Sequence, residues 1–220
     1  MLPNEAAWLG RHLRGLDPNL AFPLLNVGSS TGKFASREQP WIDAEVFGPL
    51  RAANGRVVNC DIKAAPGVDV VGDLMDAAFV KELANLGIKS VLCANVLEHL
   101  TKPAELARSL VDVVADGGYL IVSGPYSYPW HPDPIDTLFR PTPEELATLF
   151  PGTVTIAAER VRCGTFWEYV TRSKRKLVMT TARLMLPAYK PRDWWASALR
   201  LGWLTREFEA TCLVLQKRAR

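Results

Sequence analysis

Four groups of residues in this chain have the types and spacing to do chemistry. The first is the glycine-flanked loop Gly28-Ser29-Ser30-Thr31-Gly32, which follows the apolar run Leu24-Leu25-Asn26-Val27. Glycines permit positive φ and let backbone N–H groups approach a bound group with no Cβ in the way, so the loop reads as a nucleotide cradle. The second is a pair of carboxylates, Asp61 and Asp73, each closing a short apolar run. The third is Asn95-Val96-Leu97-Glu98-His99. The fourth runs from Tyr126 to Asp136 and carries His131, Asp133 and Asp136 on a frame of aromatic residues and prolines, with Arg140 close behind. Imidazoles and carboxylates so spaced can move a proton, and His131, Asp133 and Asp136 also form a donor set for a hard cation. The plainer roles are prolines that stiffen the loop, Asp residues that cap its turns, and a His99 that ties a helix to the sheet.

These groups act together only if the fold gathers them. Residues 4–16 are expected to form a cover helix and 22–27 the first strand. Residues 40–53 carry Trp41, Ile42, Val46, Phe47 and Leu50 near helical spacing and stop at Asn54-Gly55. Strands are expected at 57–61, 68–73, 90–95 and 119–123, and helices at 75–86 and 103–115. The link 62–67 is too short for a full crossover helix, so an abbreviated crossing is expected there. A helix at 142–150, with Thr142 and Glu145 at capping-box spacing, is followed by strands at 154–161 and 207–216. This alternation predicts an α/β fold: a doubly wound, mostly parallel seven-stranded sheet with helices on both faces. The two closing strands lack a standard crossover, which predicts an antiparallel last strand at the sheet's edge. Ligands bind such sheets outside the carboxyl ends of the strands, where all four groups fall.

At 220 residues and 48% hydrophobic content the chain is expected to fold as one domain, with residues 1–20 as a cover helix. Cys60, Cys93, Cys163 and Cys212 lack CxxC or metal-ligand spacing and read as buried, reduced thiols of a cytoplasmic protein. The first residues lack the apolar core of a signal peptide, and no run of about 18 apolar residues predicts a membrane span. The net charge of +3 is unevenly spread: residues 166–206 hold nine Lys or Arg against two acids, leaving −4 elsewhere, and four of the seven tryptophans. Residues 163–206 are therefore read as a basic, Trp-rich helical insert before the last strand.

A dinucleotide dehydrogenase places its ribose-binding acid about 20 residues beyond the glycine motif. Asp61 lies 29 residues after Gly32, and the third glycine of that motif is missing. The ordered series 24–32, 57–61, Gly72-Asp73-Leu74, Asn95-Val96-Leu97-Glu98-His99-Leu100 and 115–121 instead resembles the class I S-adenosylmethionine-dependent methyltransferases, particularly their small-molecule branch, over residues 20–160. The resemblance implies S-adenosylmethionine as cofactor. It assigns the methionine part to Gly28, Ser30 and Gly32, the ribose diol to Asp61, and the adenine to Asp73 with Leu74; Asn26, Asn95 and Val96 join this set by position. Ile62 offers a second apolar surface for the ring. Asn26 stands where the family usually has an acid, and Ser30 where it has a glycine. Some ubiquinone-pathway relatives hold a metal with a Glu-x-x-Glu-His cluster, but Asn95 replaces its first glutamate, so no metal is expected.

The expected chemistry is methyl transfer to a hydroxyl of a small-molecule, sugar or lipid-linked acceptor, with His131 as base and His99 as a second candidate. The contrasting expectation is a non-catalytic module of this fold associated with a membrane. Three readings of the insert stay open at this point. It is a lid over the acceptor, a surface for a membrane or lipid-linked glycan through residues 166–206, or, least favoured, a groove for nucleic acid.

Overall fold

The computed structural model describes residues 1–131, 135–171, 174–185, 194–195, 198 and 200–219. Asp133, Arg172, Lys190, Arg192 and Asp193 lie outside them, as do residues 186–189. The described residues form a seven-stranded sheet in the order β3-β2-β1-β4-β5-β7-β6. The strands are β1 (Leu24–Val27), β2 (Val57–Asp61), β3 (Val70–Val71), β4 (Ser90–Ala94), β5 (Tyr119–Ser127), β6 (Thr153–Thr165) and β7 (Glu207–Lys217). All neighbouring pairs are parallel except those made by β7. The last strand is thus antiparallel as expected, but it lies inside the sheet, and β6 forms the edge. Side chains explain the placement. The β7 run Ala210–Leu215 is buried on both faces, whereas β6 carries Glu159, Arg160 and Arg162 in exposed positions.

Period-two alternation sends successive side chains of each strand to opposite faces and builds two cores. One is Leu25, Val27, Val91, Cys93, Leu120, Val122, Leu213 and Leu215, covered by helices α2 (Ala77–Asn85) and α3 (Pro103–Val113). α3 turns Leu106, Ala107, Leu110 and Val111 to the sheet, one stripe of a 3.6-residue period. The other contains Leu24, Leu92, Ile121, Cys212 and Val214, covered by α1 (Pro3–Arg14) and the interrupted helix 40–52. Each fully buried Leu or Ile contributes roughly 1.5–3 kcal/mol of apolar transfer. All four cysteines are buried and free of disulfides. Burial pushes the Cys60 thiol up to about 11 and the Cys163 thiol to about 12, which removes both as nucleophiles at neutral pH.

Four local departures from the expected elements are seen. Helix 40–53 is broken by a π-type turn at Asp43–Phe47 between Pro40–Ile42 and Gly48–Ala52, and a second π-type turn, Phe34–Glu38, precedes it. Here α1 presses close: a Cβ on Gly10 would stand 1.9 Å from the Glu45 carbonyl oxygen. β3 shrinks to two residues: Val68 N–H closes a turn on the Ala65 carbonyl, and Asp69 N–H donates to the Asn59 carbonyl of β2 just before the strand begins. β5 runs on through Pro125 to Ser127 and β6 to Thr165, so the segment between β6 and β7 begins at Phe166 rather than 163. Helix α4 (Pro143–Ala147) is shorter than expected but keeps its capping box, with Thr142 N–H donating to Glu145 and Glu145 N–H to Thr142.

Candidate functional site

The carboxyl ends of β1, β2, β4 and β5 meet at one edge of the sheet. At β1 the chain turns sharply through Gly28 (φ 67°) and Ser30 (φ 55°). Gly28 is required twice over, since a Cβ there would lie 2.7 Å from Val96 Cγ2. Ser30 occupies the left-handed region without a glycine's freedom, and its N–H donates to Asp61 Oδ2 at 2.8 Å. Asp61 Oδ1 accepts from Lys63 N–H at 3.1 Å, so each carboxylate oxygen keeps a further lone pair for a hydroxyl donor. Gly32 N–H donates to the Pro66 carbonyl, pinning the loop to the β2–β3 link instead of aiming at a ligand. Ile62 is 62% exposed beside Asp61. Asp73 caps its own turn by accepting from Met75 N–H, and Leu74 is buried in the core, so Ile62 and not Leu74 offers exposed apolar surface beside Asp61. Asn26 Nδ2 donates to Asn59 Oδ1 (3.0 Å), and both line a cavity of about 220 Å³ beneath the loop, beside Asp43 and Arg51.

Asn95, at the end of β4, also has positive φ (56°). Its side chain donates to Glu5 Oε1 (2.7 Å), as does Ser123 Oγ (2.7 Å), while Glu5 Oε2 accepts from Leu2 N–H (2.8 Å). Glu5 is only 1% exposed. A carboxylate from the N-terminal helix thus reaches under the ligand edge and ties Asn95, just past the end of β4, to the middle of β5. Sequence reading missed it because its partners are far away in the chain. The one available signal was a Glu interrupting the apolar stripe Ala6, Leu9 and Leu13.

Residues 135–140 fold back over the short helical turn Leu97–His99. Thr137 donates to the Glu98 carbonyl through both N–H and hydroxyl (2.9 Å each), and His99 Nδ1–H donates to the Ile135 carbonyl. Asp136 is the hub. Arg140 grips its carboxylate with two bonds (2.6 and 3.0 Å), and the backbone N–H groups of His131 and Leu138 add two more. Burial alone would raise the Asp136 carboxyl, but these donors outweigh it and hold the group below the usual carboxylate range. His131 Nδ1 lies 3.0 Å from Asp136 Oδ2, off the line of a good hydrogen bond. Desolvation outweighs that carboxylate's pull and lowers the His131 pKa, so its neutral form is favoured. Its ring meets His99 edge-on at 5.4 Å and Tyr128 at 5.5 Å.

Glu98 completes the cluster. It is 1% exposed, Oε1 lies 3.9 Å from His99 Nε2, and Oε2 has no hydrogen-bond partner among the described residues. Burial pushes its carboxyl up to about 7. One donor atom each from Glu98, His99 and His131 lie within 4.8 Å of one another, a grouping from which a divalent ion could be held as well as a proton. Of the residues expected to do chemistry, the fold brings His99 and His131 together with Glu98 and Asp136. It gathers Gly28, Ser30, Asp61, Ile62, Asp73 and Val96 along the adjoining edge.

The strand order with an antiparallel β7 beside β5 is the Rossmann-like fold of the S-adenosylmethionine-dependent methyltransferases. Solved structures similar to it include the cyclase SpnF (TM-score 0.54, 15% identity, 96% of this chain and 82% of that one). Coclaurine N-methyltransferase bound to N-methylheliamine and SAH is another (0.55, 12%, 97% and 70%). A third is a SAM-dependent methyltransferase from Anabaena variabilis (0.54, 12%, 96% and 82%). No family model matches the sequence, and no curated protein matches it. At these identities the likeness establishes the fold. A cyclase among the neighbours means the reaction must be argued from the site.

Proposed function

We propose that this chain transfers the methyl group of S-adenosylmethionine to a hydroxyl of a small-molecule or glycan acceptor. The observation that carries the reading is the bond from Ser30 N–H to Asp61, which couples the glycine loop of β1 to a carboxylate at the end of β2 beside the exposed Ile62. A ribose diol presents two donors to such a carboxylate, and adenine has an apolar surface at Ile62. S-adenosylmethionine, when bound, supplies a methyl group on an already activated sulfonium. The protein's own task is to orient the acceptor and take its proton. The Asp136 carboxylate, 3.0 Å from Nδ1 of His131, favours a proton on that nitrogen by its charge even without hydrogen-bond alignment, which leaves the lone pair on Nε2 for the acceptor hydroxyl. His99, tied to Ile135 and edge-on to His131, acts as a positioning residue.

Titration calorimetry with S-adenosylhomocysteine tests the reading. Asp61→Ala should weaken binding at least ten-fold, by the loss of charge-assisted bonds. Absent binding by the unaltered protein, or equal binding by the variant, rejects it in favour of a non-catalytic domain.

A further inference from the structure

The segment between β6 and β7 leaves and rejoins the sheet at the ligand edge: Thr165 pairs with Glu207, and Ser127 of β5 with Glu209. Its inner side is anchored. Helix α5 (Phe166–Thr171) buries Phe166 and Val170 in the core. Trp203 stacks on Phe208 (5.7 Å), Phe208 meets Tyr128 (5.0 Å), and Tyr128 meets His131. Its outer side carries the opposite pattern. In helix α6 (Lys174–Met185), Val178 is 66% exposed and Met185 75%. Seven residues apart, they share one stripe of the helix with Thr181 and Ala182, and both of these are exposed too. Trp167 (58%) and Trp195 (60%) add exposed indoles from the neighbouring elements. The same segment has nine basic residues against two acidic ones, three of the nine at consecutive positions opening α6.

An exposed apolar stripe on a basic helix, with tryptophans nearby, has the composition of a surface that lies in the head-group region of an anionic bilayer. Nucleic acid fits less well: the indoles of Trp167 and Trp195 could stack on bases, but the exposed stripe of α6 itself is aliphatic at Val178 and Met185 and offers no platform. No helix among the described residues is long and apolar enough to cross a membrane, so the contact is with one leaflet. We propose that α5 and α6 dock this chain on an anionic lipid bilayer, with Trp167, Val178, Met185 and the nearby Trp195 entering the head-group region. Docking there brings the ligand edge of the sheet to the membrane.

Flotation of the whole chain with phosphatidylcholine vesicles, with and without phosphatidylglycerol, tests this. Retention is expected only with the anionic lipid and should fall as salt rises. Lys174→Ala should lower partitioning about five-fold, the effect of one basic charge near such a surface. Val178→Glu combined with Met185→Glu should lower it at least ten-fold. Both positions are exposed, so circular dichroism of the double variant should match the parent. No flotation on anionic vesicles, or unchanged flotation of the double variant, overturns the proposal. So does a double variant that breaks up an oligomer, or retention of RNA, when the parent ignores vesicles. S-adenosylhomocysteine affinity, read in parallel, belongs to the separate question of activity and should be the same in parent and variants.

Discussion

At the scale of single residues, the acceptor side of the site turns on His131 and the carboxylate beside it. Removing a positioned base costs roughly 10²–10⁴ in rate, so His131→Ala should cut kcat by that order while leaving S-adenosylhomocysteine affinity unchanged. The pH profile gives a second readout. The imidazole must be neutral to accept a proton, and desolvation lowers its pKa from the ordinary 6.5. Turnover should therefore be flat through neutral pH and fall on the acid side only below that value. Asp136→Asn removes a carboxylate that favours the protonated ring, so the acid limb should move further down in pH as kcat drops. A limb centred above pH 6.5, or one unmoved in Asp136→Asn, would show that another group takes the proton. Asn26 reads differently at this scale once its surroundings are known. Its amide is paired with Asn59 over the cavity under the loop, so a missing acid at this position leaves no unpaired partner behind.

At the scale of elements, sequence and structure agree where a signal is local and part where it is not. β2 was legible to the residue, and β4 to within one, because short apolar runs bounded by turn residues have few other ways to bury themselves. The interior position of β7 was not, since an unbroken apolar run fits a buried strand without naming its neighbours. Nor was the orientation of Leu74, which depends on a turn set by Asp73. Glu5 is the clearest case. Helical periodicity places it on the face of α1 that packs, but only the fold shows that Asn95 and Ser123 wait at the end of its reach. Glu5→Ala would strand three donors, one of them the side chain of Asn95 at the ligand edge and one the buried hydroxyl of Ser123. The expected cost is about 3 kcal/mol, which in a domain of this size lowers Tm by roughly 6–12 °C. Loss of S-adenosylhomocysteine affinity should accompany it, as Asn95 is released from its left-handed conformation. Thermal melts and calorimetry on the variant check both, and a change in Tm under about 2 °C would mean that α1 is merely a cover.

At the scale of the whole molecule, a buried acid at the ligand edge sets how stability varies with pH. Glu98 is buried with one oxygen unpartnered among the described residues, and burial raises its carboxyl from 4.5 to about 7. A group whose folded value is raised binds its proton more tightly in the fold than in the unfolded chain. Its contribution is fully present below pH 4.5 and is lost as the pH climbs to about 7. Above that the fold carries the constant cost of an ionised carboxylate in a desolvated place. Between pH 5 and 8 the loss amounts to roughly 2–3 kcal/mol. Glu98→Gln keeps the shape, removes the titration and should flatten that stretch of the profile, so that the variant gains on the parent as pH rises. Urea unfolding of both proteins at pH 5 and pH 8 measures the difference directly. If the two lose stability in parallel, Glu98 is ionised throughout that range and is held by a cation or a partner group. In that event the cluster with His99 and His131 would have to be read as a binding site for positive charge instead of a store for a proton.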